Sequence, residues 1–492
     1  MITGPDLVIA PLAILLGGAF AIYLVGRLVT ARNEVLAVLT SVVFALALAA
    51  LMTLTRQALA ARAGGLPEPA WTGSEGAGAG LQARGGGLSI ATIAVALGLC
   101  VSIYCGRYLA LDRRQKVTYP LLLLLVAGLV GMVMATDLFS LYLFCELMSV
   151  TAYVLVAFRR HTDTAVEAGF KYLILGSAGT LTMLMGTALI YRETGSLAIE
   201  QTISAPGPWA RIGLAALLAG LGVKSAFVPA HTWLPDAYGR APSSVSAMLS
   251  GIAIESTFYA WLRVGLGAGF PAAQLGMLLM VVSVPNMVVG NGLALVQRHT
   301  KRMLAYSTIA HMGYTMFTVG VGLRFGIPDA VTAGFFLIAA HAAMKPLAFL
   351  CKGVCHLHYG ATLTGELRGT WQRTPLVAVL FTVALVSLAG IPPLAGFAGK
   401  WFILGQILRA RHWMVYAGLA ILLANTVLSL AYYLPVVALL YTAPPPGTEL
   451  DQRRTSGWMA VPLGALGIIA LGMGLWPGPW MQWLAALGVA GG

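Results

Sequence analysis

Apolar runs of about twenty residues follow one another along almost the whole chain, and that is the length an α-helix needs to cross a bilayer. The runs and the breaks between them predict about fourteen spans. They centre near Leu16, Phe44, Leu99, Gly128, Ser149, Gly179, Gly220, Ser250, Val281, Tyr314, Ala340, Leu388, Ile421 and Gly467. Charged residues make up only 10% of the 492, against about 25% in a soluble domain, and 59% are hydrophobic. The fold class is therefore all-α integral membrane: one polytopic transmembrane domain over residues 1–492, embedded in lipid. The most polar stretch, Arg56 to Gly87, is Gly-rich without apolar periodicity and reads as a loop. Met1 to Asp6 carries no basic residue, so the first apolar run reads as a helix rather than a cleaved signal.

The formal charge of +13 does not indicate nucleic acid, because the excess follows the loops. Numbering loops from the N-terminus, seventeen Lys and Arg fall in odd loops, including Arg113, Arg114, Arg159, Arg160, Lys352 and Arg453. Nine fall in even loops, including Arg211 and Arg263, and four lysines inside apolar runs complete the 30. The positive-inside rule puts odd loops in the cytoplasm and both termini on the outer face of a bacterial-type inner membrane. The five cysteines, Cys100, Cys105, Cys145, Cys351 and Cys355, lie in or beside apolar runs. Only Cys351 and Cys355 approach ligand spacing, too few for a zinc or iron–sulfur site. No metal, cofactor or redox centre is expected on this chain.

The four lysines within apolar runs are Lys171, Lys224, Lys345 and Lys400. A cation at the bilayer centre costs roughly 2.5–3.5 kcal/mol on insertion scales and marks a functional position by default. Lys224 and Lys400 each adjoin a break. Gly222–Pro229 leads into His231 and Asp236, and Ala389–Pro393 leads into Gly396–Lys400. Proline removes a helical hydrogen bond. Freed backbone at membrane depth is tolerated only where protein or water surrounds it, and paired broken helices point to an ion site.

Glu146 lies mid-span, where its charge is tolerable beside a cation; Lys224 is the candidate, and separating the two would release a proton. His341 and Lys345 are four apart and share a helix face, with His311 in the preceding span. Histidine can relay protons near neutral pH. Glu255 is deep enough to pair with a lysine or take part in transfer. Lys171, four residues after Glu167, reads either as part of the file or as a snorkelling interfacial residue.

These segments resemble the antiporter-like subunits of respiratory complex I, of membrane-bound group 4 hydrogenases and formate hydrogenlyase, and of Mrp-type cation/proton antiporters. The resemblance rests on Asp137-Leu-Phe…Glu146-Leu, Lys171-Tyr, Val223-Lys224…Pro229…His231-Thr-Trp-Leu-Pro-Asp236, Ala241-Pro-Ser-Ser-Val-Ser-Ala, Thr300-Lys301-Arg302, Ala310-His311-Met-Gly, His341…Lys345, and Leu388-Ala-Gly-Ile-Pro-Pro…Gly399-Lys400. It implies two inverted five-helix repeats, 119–265 and 272–441. It also implies a Glu146–Lys224 coupling pair, a link through His311, His341 and Lys345, and an exit-side Lys400. The function implied is proton translocation within a redox-driven assembly of other membrane subunits, which would carry the electron-transfer chemistry. The alternatives are a subunit of an Mrp-type Na⁺/H⁺ antiporter, a non-pumping membrane anchor, or a partner in inorganic-carbon uptake. Two departures stand out: Glu255 occupies a position where the family usually has lysine, and Tyr238 one where it often has histidine. The Ala241–Ala247 segment leans toward the hydrogenase branch.

Overall fold

The computed structural model describes residues 4–29, 32–72, 80–110, 112, 115–158, 162–200, 207–444 and 454–489. Arg113, Arg114, Arg159, Arg160 and Arg453 of the loop-charge pattern, and Met1–Thr3, lie outside these residues. The N-terminal helices are α1 (Gly4–Leu28), α2 (Asn33–Ala63), α3 (Gly85–Tyr108), α4 (Gln115–Met134), α5 (Leu138–Val156) and α6 (Asp163–Thr194). The central part holds α7 (Pro208–Lys224), α8 (Trp233–Arg240), α9 (Ser243–Met248), α10 (Ile254–Gly267), α11 (Ala272–Leu295), α12 (Thr300–Phe325) and α13 (Pro328–Tyr359). The remainder holds α14 (Thr370–Arg373), α15 (Pro375–Ala389), α16 (Ala395–Ile407), α17 (Trp413–Tyr441), α18 (Gly457–Leu475) and α19 (Pro477–Leu487).

Among the described residues, eleven helical segments are long and apolar enough to cross a membrane. The expected spans near Gly220, Tyr314 and Leu388 are not among them. The first and third fall on the short helices α7 (17 residues) and α15 (15 residues), each cut by a break. The second is α12, which has 26 residues but is diluted by Ser307, Thr308, His311, Thr315 and Thr318. Backbone in lipid must satisfy its own hydrogen bonds, which is why the runs are helical. Close helix pairs meet through glycines. A Cβ on Gly186 of α6 would sit 2.4 Å from the Gly213 carbonyl of α7, and one on Gly276 of α11 would sit 2.5 Å from the Gly320 carbonyl of α12. Small residues let backbones approach where no hydrophobic effect drives helices together.

The Arg56–Gly87 stretch is not one loop. Alanine-rich sequence of high helix propensity carries α2 on to Ala63. Strands β1 (Ala70–Thr72) and β2 (Gly80–Gln82) then pair antiparallel, Trp71 opposite Leu81. The Gly85–Gly87 triplet opens α3 because side chains there would strike Leu487, Tyr259 and Val133.

Two spans are enclosed by protein along their whole apolar stretch: Ser243–Gly267 and Pro328–Tyr359. The first comprises α9 and α10 joined by a π-helical turn, Leu249–Ala253. Gly251 of that turn packs on Pro346 of α13, where a Cβ would lie 2.4 Å from the ring. These two helices form the axis on which the buried ionisable groups are strung.

Beyond α13 the loop is fastened by Glu366, whose carboxylate accepts from Thr362 N (2.6 Å) and Leu363 N (2.9 Å). The Thr362 amide, then Leu363, lowers the Glu366 pKa below its ordinary 4.5. A depressed carboxylate pKa gives stability that is present above the ordinary value and lost as pH falls through the lowered one. Amide exchange should therefore find Thr362 and Leu363 protected at neutral pH and exposed once the medium falls well below pH 4.5, with Glu366→Gln weakening that protection at all pH values.

Candidate functional site

α7 stops at Lys224 and helix resumes at Trp233; Ala226 in between has φ +52°. The freed groups of this break are taken up by protein. Trp233 Nε1 donates to Val223 O (3.0 Å), and Asn286 of α11 accepts from Val228 N (2.9 Å). α15 stops at Ala389, Gly390 turns the chain with φ +85°, and α16 starts at Ala395 with its amides supported by Ser387. Both breaks fall where proline and glycine predict them.

Lys224 is buried, and its Nζ donates to Ser149 Oγ (2.7 Å) and Tyr153 Oη (2.8 Å) of α5. The expected Glu146–Lys224 ion pair is absent within the 4.0 Å limit for such a pair. Glu146 instead has a buried oxygen without a hydrogen-bond partner. The reason lies in the spacing. Glu146, Ser149 and Tyr153 follow at i, i+3 and i+7 on one face of α5, and the two hydroxyls intercept the ammonium. What joins Glu146 to Lys224 is a helix face bearing two proton-carrying hydroxyls.

The next step leads from Ser225, beside Lys224, whose Oγ donates to Thr257 of α10 (3.1 Å). Two residues before Thr257, Glu255 is 1% exposed, and its Oε1 lies 2.6 Å from His341 Nδ1, without the angles of a linear hydrogen bond. Glu255 therefore faces His341 and does not clamp Lys224. The His341 ring stacks on His311, centroids 4.1 Å apart. Lys345, one turn along α13, donates to Ser307 of α12 and to Tyr433 of α17 (3.4 Å). Tyr314, one turn beyond His311, presents its ring to the Lys400 ammonium at 5.4 Å, and Lys400 donates to Ala389 O (3.2 Å) at the second break. Lys224, Lys345 and Lys400 thus rest on hydroxyls, rings and carbonyls, with no carboxylate among the described residues within 4.0 Å of any of them.

Two expected members stand apart. Lys171 is about half exposed, paired with Glu167 (2.7 Å) and with Asp236 (3.3 Å), which also meets Arg302. It is a surface cation of the snorkelling kind. His231 is buried in the first break, where its Nδ1 lies 3.2 Å from Pro229 O. Two residues assigned to loops are interior. α13 runs on to Tyr359 and buries Lys352, while Arg263 is 5% exposed at the end of α10, donating to Ala135 O and Val133 O. Sequence reading missed Ser149, Tyr153, Ser307, Tyr314 and Tyr433; only the spacing of the first two from Glu146 signals their part.

An all-α membrane protein with two broken helices and a file of buried cations and histidines between them is an ion-translocating architecture. Residues 135–429 match the transmembrane family described as NADH:quinone oxidoreductase/Mrp antiporter, and the chain belongs to that family. It is 35% identical over 406 residues to NADH-quinone oxidoreductase subunit N 1 of Sorangium cellulosum, spanning 77% of this chain and 78% of that one. It is 33% identical over 408 residues to F(420)H(2) dehydrogenase subunit N of Methanosarcina mazei, spanning 79% and 80%. A chain of respiratory complex I from Thermus thermophilus superposes with a TM-score of 0.76 at 29% identity, covering 97% of this chain and 99% of that one. These relatives bear oxidoreductase, dehydrogenase and respiratory-complex names, and the hydrogenase lean of Ala241–Ala247 finds no support among them.

Proposed function

We propose that this chain is the proton-translocating subunit of a redox-driven membrane complex of the NADH:quinone oxidoreductase type. The observation that carries this reading is the file Glu146–Ser149/Tyr153–Lys224, Ser225–Thr257, Glu255–His341–His311, Lys345, Tyr314–Lys400, whose members alternate between helices and span both breaks. Lysine favours the proton over Na⁺, because a charged ammonium does not coordinate a metal cation. The two breaks, each beside a lysine, support two inverted repeats over 119–265 and 272–441, and the loop charges support a bacterial cytoplasmic membrane with both termini outside. Electron carriers would belong to partner subunits. Energy delivered by a neighbour shifts Lys224 along the hydroxyl face of α5 toward or away from Glu146, and the proton displaced passes by Glu255 and the stacked histidines to Lys400.

The test is purification of the tagged full chain from its native membrane with its partners, followed by reconstitution into vesicles. Quinone-reducing subunits should co-purify, and electron donor plus quinone should acidify or alkalinise the lumen in a protonophore-sensitive way. Exchange of Na⁺ for H⁺ by a complex free of electron-transfer subunits would overturn this reading in favour of the antiporter.

A further inference from the structure

Two motifs of the sequence, Ala241–Ala247 and Thr300–Arg302, have no place in the translocation file, yet they meet. They form part of the wall of a polar cavity of about 240 Å³ on the odd-loop side. Arg240 contributes from the end of α8, Ala241 and Ser243 from the start of the α9–α10 span, His299 and Lys301 from the start of α12, and Lys352 and His356 from the last turns of α13. Among the described residues, no Asp or Glu lines it.

Lys352 is the telling member. It is 1% exposed, its Nζ donates to Ala361 O (2.5 Å), and among the described residues no carboxylate lies within 4.0 Å. An ammonium has three donors, and a buried charge without an opposite charge is costly. The Glu366 carboxylate acts on Lys352 through space, but its oxygen is committed to the Thr362 and Leu363 amides. The cavity's field is positive. Burial first, then the charges of Arg240, Arg302 and Lys352, lower the His299 pKa, so that ring is neutral at pH 7. The N-terminus of the 26-residue α12 adds its dipole from the same side. The cavity is concave, polar and cationic.

We propose that this cavity is an oxyanion site for a phosphate group, with the Lys352 ammonium and the Arg240 guanidinium as its principal cations. The group comes either from free phosphate or from the headgroup of an anionic phospholipid; both offer the same tetrahedral oxygens to an ammonium and a planar guanidinium fork. A bound phosphate ties the end of α8, which follows the first break, to α13, which carries His341 and Lys345.

The full-length chain in phosphatidylcholine nanodiscs provides the test, by equilibrium dialysis against radiolabelled inorganic phosphate. A second arm uses native mass spectrometry after equilibration with phosphatidylglycerol. Saturable phosphate binding is expected, weakened by about tenfold or more in Lys352→Met, weakened also in Arg240→Gln, and retained in Lys352→Arg. If the headgroup is the source, phosphatidylglycerol survives delipidation on the wild type and is lost from Lys352→Met, while free phosphate binds poorly. Should Lys352→Met fail to fold, Arg240→Gln carries the comparison, since Arg240 is exposed. The proposal is overturned if neither probe binds the wild type saturably, or if binding is the same in wild type, Lys352→Met and Arg240→Gln.

Discussion

Lys224→Met lowers redox-driven proton translocation by about tenfold or more, a barrier increase of at least ~1.4 kcal/mol, while electron transfer through the assembly continues at a reduced rate. Methionine keeps the length of the side chain and its packing, and removes the one group that presents a transferable charge to Ser149 and Tyr153. The fold should hold. Leu217, Leu221 and Ser225 around it are buried independently of the ammonium, and of the two hydroxyls left behind Ser149 already donates to Cys145 O of its own helix (2.6 Å). Proton-flux measurement in vesicles, set beside thermal unfolding of the purified variant, separates the two effects. A variant that pumps normally would remove Lys224 from the path. Tyr153→Phe with Ser149→Ala should show a smaller deficit, because the lysine stays but loses its donors' landing points on α5.

Glu255→Gln is expected to give a loss of similar size by a different route. Glutamine fills the same space but cannot accept or release a proton, and among the described residues Glu255 is the sole carboxylate that meets a histidine of the file. The contact sits in full burial, where a charge on the carboxylate acts on the ring across 2.6 Å with little screening. Truncation to alanine would also open a cavity beside the His341 ring, so glutamine is the cleaner variant. The measurement is protons moved per quinone reduced. That ratio should fall while quinone reduction persists, and an unchanged ratio would show that His341 and His311 work without the carboxylate.

The spans were legible because lipid leaves a helical backbone no alternative, and the breaks because Pro229, Pro392 and Pro393 stand with glycine beside a lysine; proline alone, as at Pro346 within α13, does not end a helix here. Burial of Lys224 and Lys345, and half-burial of Lys400, follow from their apolar flanks. What those flanks could not reveal is who meets whom. Glu255 and His341 lie on different spans, and nothing in either run specifies that α10 turns this face to α13. The Glu146–Lys224 pair was a reading of charge alone; hydroxyls already on α5 took the lysine first. Lys171 looks like Lys224 in sequence, yet its face of α6 is turned outward, since exposure is a property of the packed bundle and not of the run. Lys352 was misplaced for the opposite reason: it follows the apolar stretch of α13 so closely that only the helix's real end, at Tyr359, reveals it as interior.

The π-helical turn at Leu249–Ala253 has a consequence for Glu255. Such a turn holds one residue more than an ordinary one, so everything downstream is rotated by about 100° relative to an unbroken helix. The azimuth of the carboxylate is therefore dictated a full turn earlier, at the point where Gly251 is wedged under Pro346. Deleting a single residue there would keep every side chain of the file in the sequence but swing both Glu255 and Thr257 away from His341 and Ser225.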